Sequence, residues 1–271
     1  MCLDGEPVND LTEPKAMRVV LIHGFGCGSA DWSGQLGFLS RLADIVAVDL
    51  PGQDDVEDRD GSLIGRMAEA VNDARRTALP ARTVLVGHSM GCRLALEAVR
   101  RMRDAVAGIV LIEGSLRAVG NPDEAVRHYW SRSDEENKAL LKRDFAGMFS
   151  SATPEAFRST VLQRIEAMDS GFAARLMADM TRWDAADAAG ALRAVLVPML
   201  IIQSTYKAPG SERRPINAHE MSPWLRLINE QAAGYADVVR LQGLGHFPQV
   251  EAPNVVNGLI GSFVERVRRS E

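Results

Sequence analysis

The chain is short of cysteine, of long apolar runs and of positive charge, and each shortage excludes something. Its three cysteines, Cys2, Cys27 and Cys92, are odd in number and lack metal-ligand spacing. Neither a disulfide framework nor a metal site is therefore expected. No apolar run approaches the roughly 18 residues of a membrane-spanning helix, and no signal peptide is apparent. A cytoplasmic protein with no membrane partner is the expectation. A net charge of -5 gives no general drive toward nucleic acid or anionic lipid. The basic runs Arg100-Arg101-Arg103 and Arg266-Arg268-Arg269 read as solvated helix faces. Repeats and low-complexity segments are lacking too.

What is present is an alternation of strand-like and helix-like segments. An apolar content of 46% over 271 residues suits one large α/β domain or two small ones. After a polar stretch of 16 residues, "MRVVLIHGFG" gives a buried strand, Arg18 to Ile22, ending in a Gly-rich turn. A helical stretch follows from about Trp32 to Leu42, then the strand "DIVAVDLPG". The acidic loop Asp54 to Asp60 leads to a helix of about Ser62 to Leu79, stopped by Pro80. "RTVLVGHSMG" and "AGIVLIEGS" are the next strands, with a helix from Met90 to Arg103 between them. Charged helical segments without a strand fill Leu116 to Leu192. "VPMLIIQST" and "ADVVRLQGLGHF" restore strand character before a last helix, about Pro253 to Arg269. Such alternation predicts a parallel sheet with helices on both faces. The expected division is a core of residues 1–115 and 193–271 with a helical cap inserted at 116–192.

Chemistry enters at "VGHSMG", which places G-x-S-x-G at Gly87-His88-Ser89-Met90-Gly91. The flanking strand and helix are the context this pattern needs. Glycines on both sides let strand and helix approach, and the turn exposes the Ser89 hydroxyl. The helix N-terminus behind it favours developing negative charge.

With these residues the chain resembles the α/β-hydrolase superfamily over nearly all of its length except the N-terminal tail and the middle insertion. The resemblance implies an α/β-hydrolase fold with a mostly parallel sheet of about six to eight strands. "HGFG" at His23 to Gly26 looks like the oxyanion loop, and "DLPG" at Asp49 to Gly52 like the turn after the next strand. "GLGHFPQVEAP" at Gly243 to Pro253 looks like the histidine loop, which makes His246 the base. By its own surroundings, His246 sits after a strand in a Gly-rich loop, at the sheet's ligand-binding edge. The oxyanion hole is expected from the backbone N–H groups of Phe25 and Met90.

The third triad residue departs from the commoner pattern. Past the strand "PMLIIQ", where many members carry an aspartate, stand Ser204, Thr205, Tyr206 and Lys207; Glu212 is the first carboxylate. Some members instead place the acid after the strand that follows the nucleophile helix, and Glu113 holds that position. A buried carboxylate there could fix the imidazole tautomer and stabilise the imidazolium, which would compensate its charge. Glu113 is the favoured acid, with Glu212, another acid or a dyad as alternatives.

Cap residues should roof the site. Pocket candidates are Gly24, Trp130, Trp183, Tyr206 and Phe247, with the loop Tyr206 to Trp224 along the border. Arg213 and Arg214 read as solvated loop charges in preference to an anion-steering pair. His23 reads as structural, His88 as a packing residue pointing away from the catalytic edge, and His128 and His219 as surface residues. Cys92 should be a small buried packer, Cys27 could line the pocket, and Asp49 is expected to be a structural turn residue.

Ser-His-Glu with an oxyanion hole implies acyl transfer to water through an acyl-enzyme. The expected reaction is hydrolysis of a small or medium-sized, rather apolar ester, lactone or thioester, with no metal and no cofactor. Its partner is a small-molecule substrate, and a homodimer is possible. The alternatives are carbon–carbon bond hydrolysis or a hydroxynitrile-lyase-like reaction on the same triad, and a non-enzymatic ligand receptor on a hydrolase fold.

Overall fold

The computed structural model describes residues 17–52, 62–76 and 82–270. Cys2, the polar N-terminal stretch, the acidic loop Asp54 to Asp60 and Pro80 lie outside the described residues. Eight strands are described: β1 (Met17–Ile22), β2 (Asp44–Val48), β3 (Arg82–His88), β4 (Val106–Ile112), β5 (Met199–Gln203), β6 (Thr205–Tyr206), β7 (Arg214–Pro215) and β8 (Ala236–Arg240). Six of them form one sheet in the order β2-β1-β3-β4-β5-β8, every neighbour parallel. The short β6 and β7 pair antiparallel beyond the end of β5.

The apolar runs explain why these segments pair. Side chains alternate across a strand, and both faces of this sheet are covered. Val20, Ile22, Leu85, Ile109, Leu111 and Ile201 enter one buried cluster. Their neighbours Val19, Leu21, Val84, Val110, Ile112 and Ile202 enter another on the opposite face. A run that is apolar at every position can therefore bury all of itself.

On the second face lie α1 (Ser33–Leu39) and, last in the chain, the long helix Pro253–Arg269. The first face carries α2 (Leu63–Arg76) and α3 (Met90–Arg101). Between β4 and β5 come only helices: α4 (Pro122–Trp130), α5 (Asp134–Ala146), α6 (Glu155–Ala167), α7 (Ser170–Ala186) and α8 (Ala188–Arg193). Their starts are written in the sequence. Asn121 accepts from the backbone N–H of Asp123 at 2.9 Å ahead of Pro122, and Ser133 with Glu136 forms a capping box.

Helix α7 ties this helical layer to the core. Asp184 accepts from Nε and Nη2 of Arg93 on α3 at 2.8 and 2.7 Å, in a buried bidentate pair. Asp179 accepts from the backbone N–H of Ile64 at 2.8 Å, at the start of α2. Trp183 donates its indole N–H to Glu97 of α3 at 3.3 Å.

One helix was not anticipated. Helix α9 (Pro223–Ala232) follows β7, where the sequence reads simply as a loop to Trp224. Its signal is Ser222-Pro223, with the Ser222 hydroxyl accepting from the N–H of Leu225 at 3.2 Å. The short α10 (Pro248–Glu251) and then α11 (Pro253–Arg269) complete the chain.

Strand order reverses at β1, from which β2 lies on one side and β3 on the other. In parallel sheets ligands bind at the carboxyl edge beside such a reversal. Ser89, Glu113 and Ser204 directly follow β3, β4 and β5 on that edge.

Candidate active site

Ser89 sits between β3 and α3 with φ 55° and ψ -111°, a conformation uncommon for a residue with a side chain. The glycines around it are sterically required. A Cβ on Gly87 would lie 2.3 Å from the Gly91 carbonyl oxygen, and one on Gly91 would lie 2.3 Å from that of Ile22. The "HGFG" loop abuts the same turn, since a Cβ on Gly24 would come within 3.1 Å of the Ser89 Cβ. His23 fixes this loop as a neutral imidazole, donating from Nδ1 to the Gly24 carbonyl at 2.9 Å and accepting from the Leu50 N–H at 3.4 Å. Burial lowers its pKa.

A hydrogen-bonded chain runs from Ser89 to Glu113. Nε2 of His246 accepts from the Ser89 hydroxyl at 2.8 Å, and its Nδ1–H donates to Oε2 of Glu113 at 2.9 Å. The His246 loop follows β8 and is held on three sides. Its backbone N–H donates to the Met148 carbonyl at 2.8 Å, and its carbonyl accepts from Nε2–H of His88 at 2.7 Å. The preceding N–H, of Gly245, donates to Glu251 at 2.5 Å. Burial is the largest cause lowering the His246 pKa well below its usual value, followed by the positive charges of Arg213, Arg93 and Lys207. The imidazole is thus neutral near pH 7 and able to accept a proton.

Glu113 is 0% exposed and, like Ser89, has positive φ, 58°. Beyond the imidazole expected to compensate it, its surroundings supply further partners. Oε1 accepts from the backbone N–H groups of Ser204 and Thr205 at 2.5 and 2.8 Å. The Ser204 hydroxyl, 3.0 Å from Oε1 and 2.6 Å from the Gly245 carbonyl, shares its proton between them. Oε2 accepts from the Thr205 hydroxyl and from Nη1 of Arg213 at 3.3 Å. Ser204 and Thr205, at the position after β5 that lacks an acid, thus solvate the Glu113 carboxylate. Such a shell is what allows a charge to be buried.

Arg213 also departs from its expected role as a solvated loop charge. Its side chain is only 7% exposed, and Nη1 donates to the Thr205 hydroxyl at 2.6 Å as well as to Glu113. Arg214 lies apart, paired with Glu220 at 2.5 Å and stacked over the Tyr206 ring. Glu212 is exposed on the same loop. His88, expected to point away from the catalytic edge, packs under the histidine loop, its ring centroid 4.9 Å from that of His246. Burial pushes its pKa down to about 3.

Phe25, Met90 and Phe247 line a narrow cleft of about 40 Å³ over Ser89 with Leu141, Phe145, Met148, Met177 and Met180 from the helical layer. The other pocket candidates lie elsewhere. Trp130 ends α4 with 56% of its surface exposed, and Trp183 is a buried tie to Glu97. Tyr206 is half-buried beneath Arg214, and Gly24 is the contact between loop and elbow. Cys92 is buried with its thiol pushed up to about 12, and burial raises that of Cys27 as well. Sequence reasoning missed Ser204 and Thr205 as carboxylate partners, although two adjacent hydroxyl residues at a position lacking an acid were a readable signal.

These pKa directions fix a sign. A base works only when deprotonated, so kcat/KM should fall as pH drops through the lowered His246 pKa, on the acid side of 6.5. Arg213→Gln removes one lowering charge and should move that limb to higher pH. Rate profiles of the two proteins check this, and an unmoved or acid-shifted limb would refute it.

Among the described residues, no helix is long and apolar enough to cross a membrane, and no group of His, Cys, Asp or Glu could hold a metal ion. A family model described as alpha/beta hydrolase family matches residues 19–259. Two curated relatives align with part of the chain. The biotin biosynthesis bifunctional protein BioHC of Cellvibrio japonicus is 32% identical over 139 residues, 49% of this chain and 27% of that protein. A pimeloyl-[acyl-carrier protein] methyl ester esterase of Methylococcus capsulatus is 35% identical over 111 residues, 41% of this chain and 42% of that protein. The match thus spans less than half the length of either relative. Among solved structures, a thermophilic esterase from Thermogutta terrifontis superposes with a TM-score of 0.71 at 20% identity, covering 94% of this chain and 91% of that one. MenH from S. aureus gives 0.71 at 14% identity, covering 95% and 96%. At such identities the likeness is one of fold.

Proposed function

The chain belongs to the alpha/beta hydrolase family, and from that premise we propose that it hydrolyses carboxylic esters through an acyl-enzyme on Ser89. The observation that carries this reading is the hydrogen-bonded chain from Ser89 Oγ through His246 to buried Glu113, at 2.8 and 2.9 Å. A serine hydroxyl is a poor nucleophile until a base takes its proton, and Nε2 of His246 is positioned to do so.

The chemistry follows in two balanced halves. Ser89 Oγ bonds to the ester carbonyl carbon as its proton moves to Nε2, and the imidazolium then gives that proton to the departing alcohol. Water next attacks the acyl-serine, losing a proton to Nε2, which returns it to Ser89 Oγ as the acid leaves. Glu113 holds Nδ1–H in place and stabilises the imidazolium. The oxyanion would be received by the N–H groups of Phe25 and Met90; removing one such donor typically costs about 10²–10³ in rate. Met90 opens α3, so its N–H belongs to the first turn, where no intrahelical acceptor exists.

The methionine- and phenylalanine-lined wall over Ser89 favours a small or medium-sized ester that is apolar beside its reacting carbonyl. A panel of esters, lactones, thioesters and β-diketones, compared by kcat/KM, tests the reading. Highest values for carboxylic esters are expected. Turnover confined to β-diketones would move the activity to carbon–carbon cleavage, and no turnover of any class would refute an enzyme.

A further inference from the structure

We propose that the ester carries an anionic group, a carboxylate or a phosphate, on the part that extends from Ser89 into a basic cleft between α5 and the loop after β5. This rests on the hydrolase reading and adds to it a class of substrate. A second cleft of about 590 Å³ adjoins the one over Ser89, and the two share Ser115, Arg117, Asp144, Met148 and Arg213 along their boundary. On this proposal the ester bound at Ser89 extends across that shared boundary into the outer cleft.

The outer cleft has an unbalanced charge. Arg117, Arg132, Arg143, Lys207 and Arg213 line it against two carboxylates, Asp144 and Glu212. Asp144 lies 3.6 Å from Arg117, and Arg213 gives Nη1 to Glu113. Five cations thus meet two carboxylates, of which Glu212 is exposed.

Two details describe how this positive charge is met among the described residues. Nη1 of Arg132 is buried and has no hydrogen-bond partner among the described residues, a state that costs free energy unless a ligand or water fills it. The Lys207 ammonium donates to the Ser211 carbonyl, a neutral acceptor. Burial and the charges of Arg213, Arg117 and Arg143 lower its pKa despite Asp144. In a chain of net charge -5, such a patch is a local construction and does not follow from overall basicity. Low-dielectric walls focus its field on whatever enters, and guanidinium forks suit carboxylate and phosphate oxygens.

The test compares three methyl esters of one chain length: methyl hexanoate, monomethyl adipate, and an analogue ending in phosphate in place of the second carboxylate. At low salt the anionic esters should exceed methyl hexanoate at least tenfold in kcat/KM, chiefly through KM, and the preference should shrink as salt screens it. The better of the two identifies the anion. Arg132→Gln and Arg143→Gln should each cut the preference several-fold, and the double variant should bring it near one. Lys207→Gln provides an independent third variant. A wild type that hydrolyses methyl hexanoate as well as the anionic esters would overturn the inference and leave the hydrolase reading standing. So would a preference that survives the double substitution. If no ester is hydrolysed and a serine-directed phosphonate leaves Ser89 unlabelled, both fall together.

Discussion

Glu113→Gln is expected to lower kcat about 10⁴-fold, the order seen when a triad acid loses its charge but keeps its shape. The geometry shows why glutamine cannot substitute. Oε1 of Glu113 is faced by the N–H groups of Ser204 and Thr205, so the amide oxygen must take that place. The amide NH₂ then falls at Oε2, opposite Nδ1 of His246 and Nη1 of Arg213. To avoid two donors meeting, His246 must carry its proton on Nε2, where it can no longer receive one from Ser89. The same change leaves the Arg213 guanidinium buried without its anion, which typically costs about 3–5 kcal/mol of stability. A melting curve separates that loss from the catalytic one. Glu212→Gln, on the exposed part of the same loop, should leave kcat toward a neutral ester near wild type. The reverse pattern, with Glu212→Gln inactive and Glu113→Gln active, would move the acid to the later loop.

Ser89→Ala should have the larger effect, about 10⁶-fold in kcat, because losing the nucleophile disables the whole triad at once. A chromogenic short-chain ester measures it. The substitution should leave stability nearly unchanged. Among the described residues its hydroxyl bonds to His246, and alanine meets the same backbone demand at φ 55°. A Ser89→Ala protein that retains wild-type turnover would refute the acyl-enzyme.

Much of this was legible because it is local. An unbroken apolar run between turn residues marks a strand buried on both faces, and β1, β3, β4 and β5 answer that description. The G-x-S-x-G spacing encodes the elbow directly, since Gly87 and Gly91 are demanded by contacts under 2.5 Å. The empty acid position after β5 pointed to Glu113. What the sequence hid depends on which distant segments meet. Nothing near Arg213 announces that its loop folds back onto a carboxylate 100 residues earlier. Trp130 and Trp183 lie on helices of one layer, yet one faces solvent and the other the core. Which face of a helix is covered is set by its neighbours, and composition does not record it. His88 is a similar case, where a loop arriving from after β8 turned a packing residue into a hydrogen-bond donor.

That Ser89 is an acylable nucleophile is the claim on which the rest stands. It is tested most directly by treating the full chain with a serine-directed phosphonate while following hydrolysis of a chromogenic ester, then mapping the adduct by mass spectrometry. The predicted result is a single adduct on the peptide containing Ser89, with turnover lost in step with labelling. An adduct on another residue, or turnover that persists after Ser89 is fully modified, would contradict it.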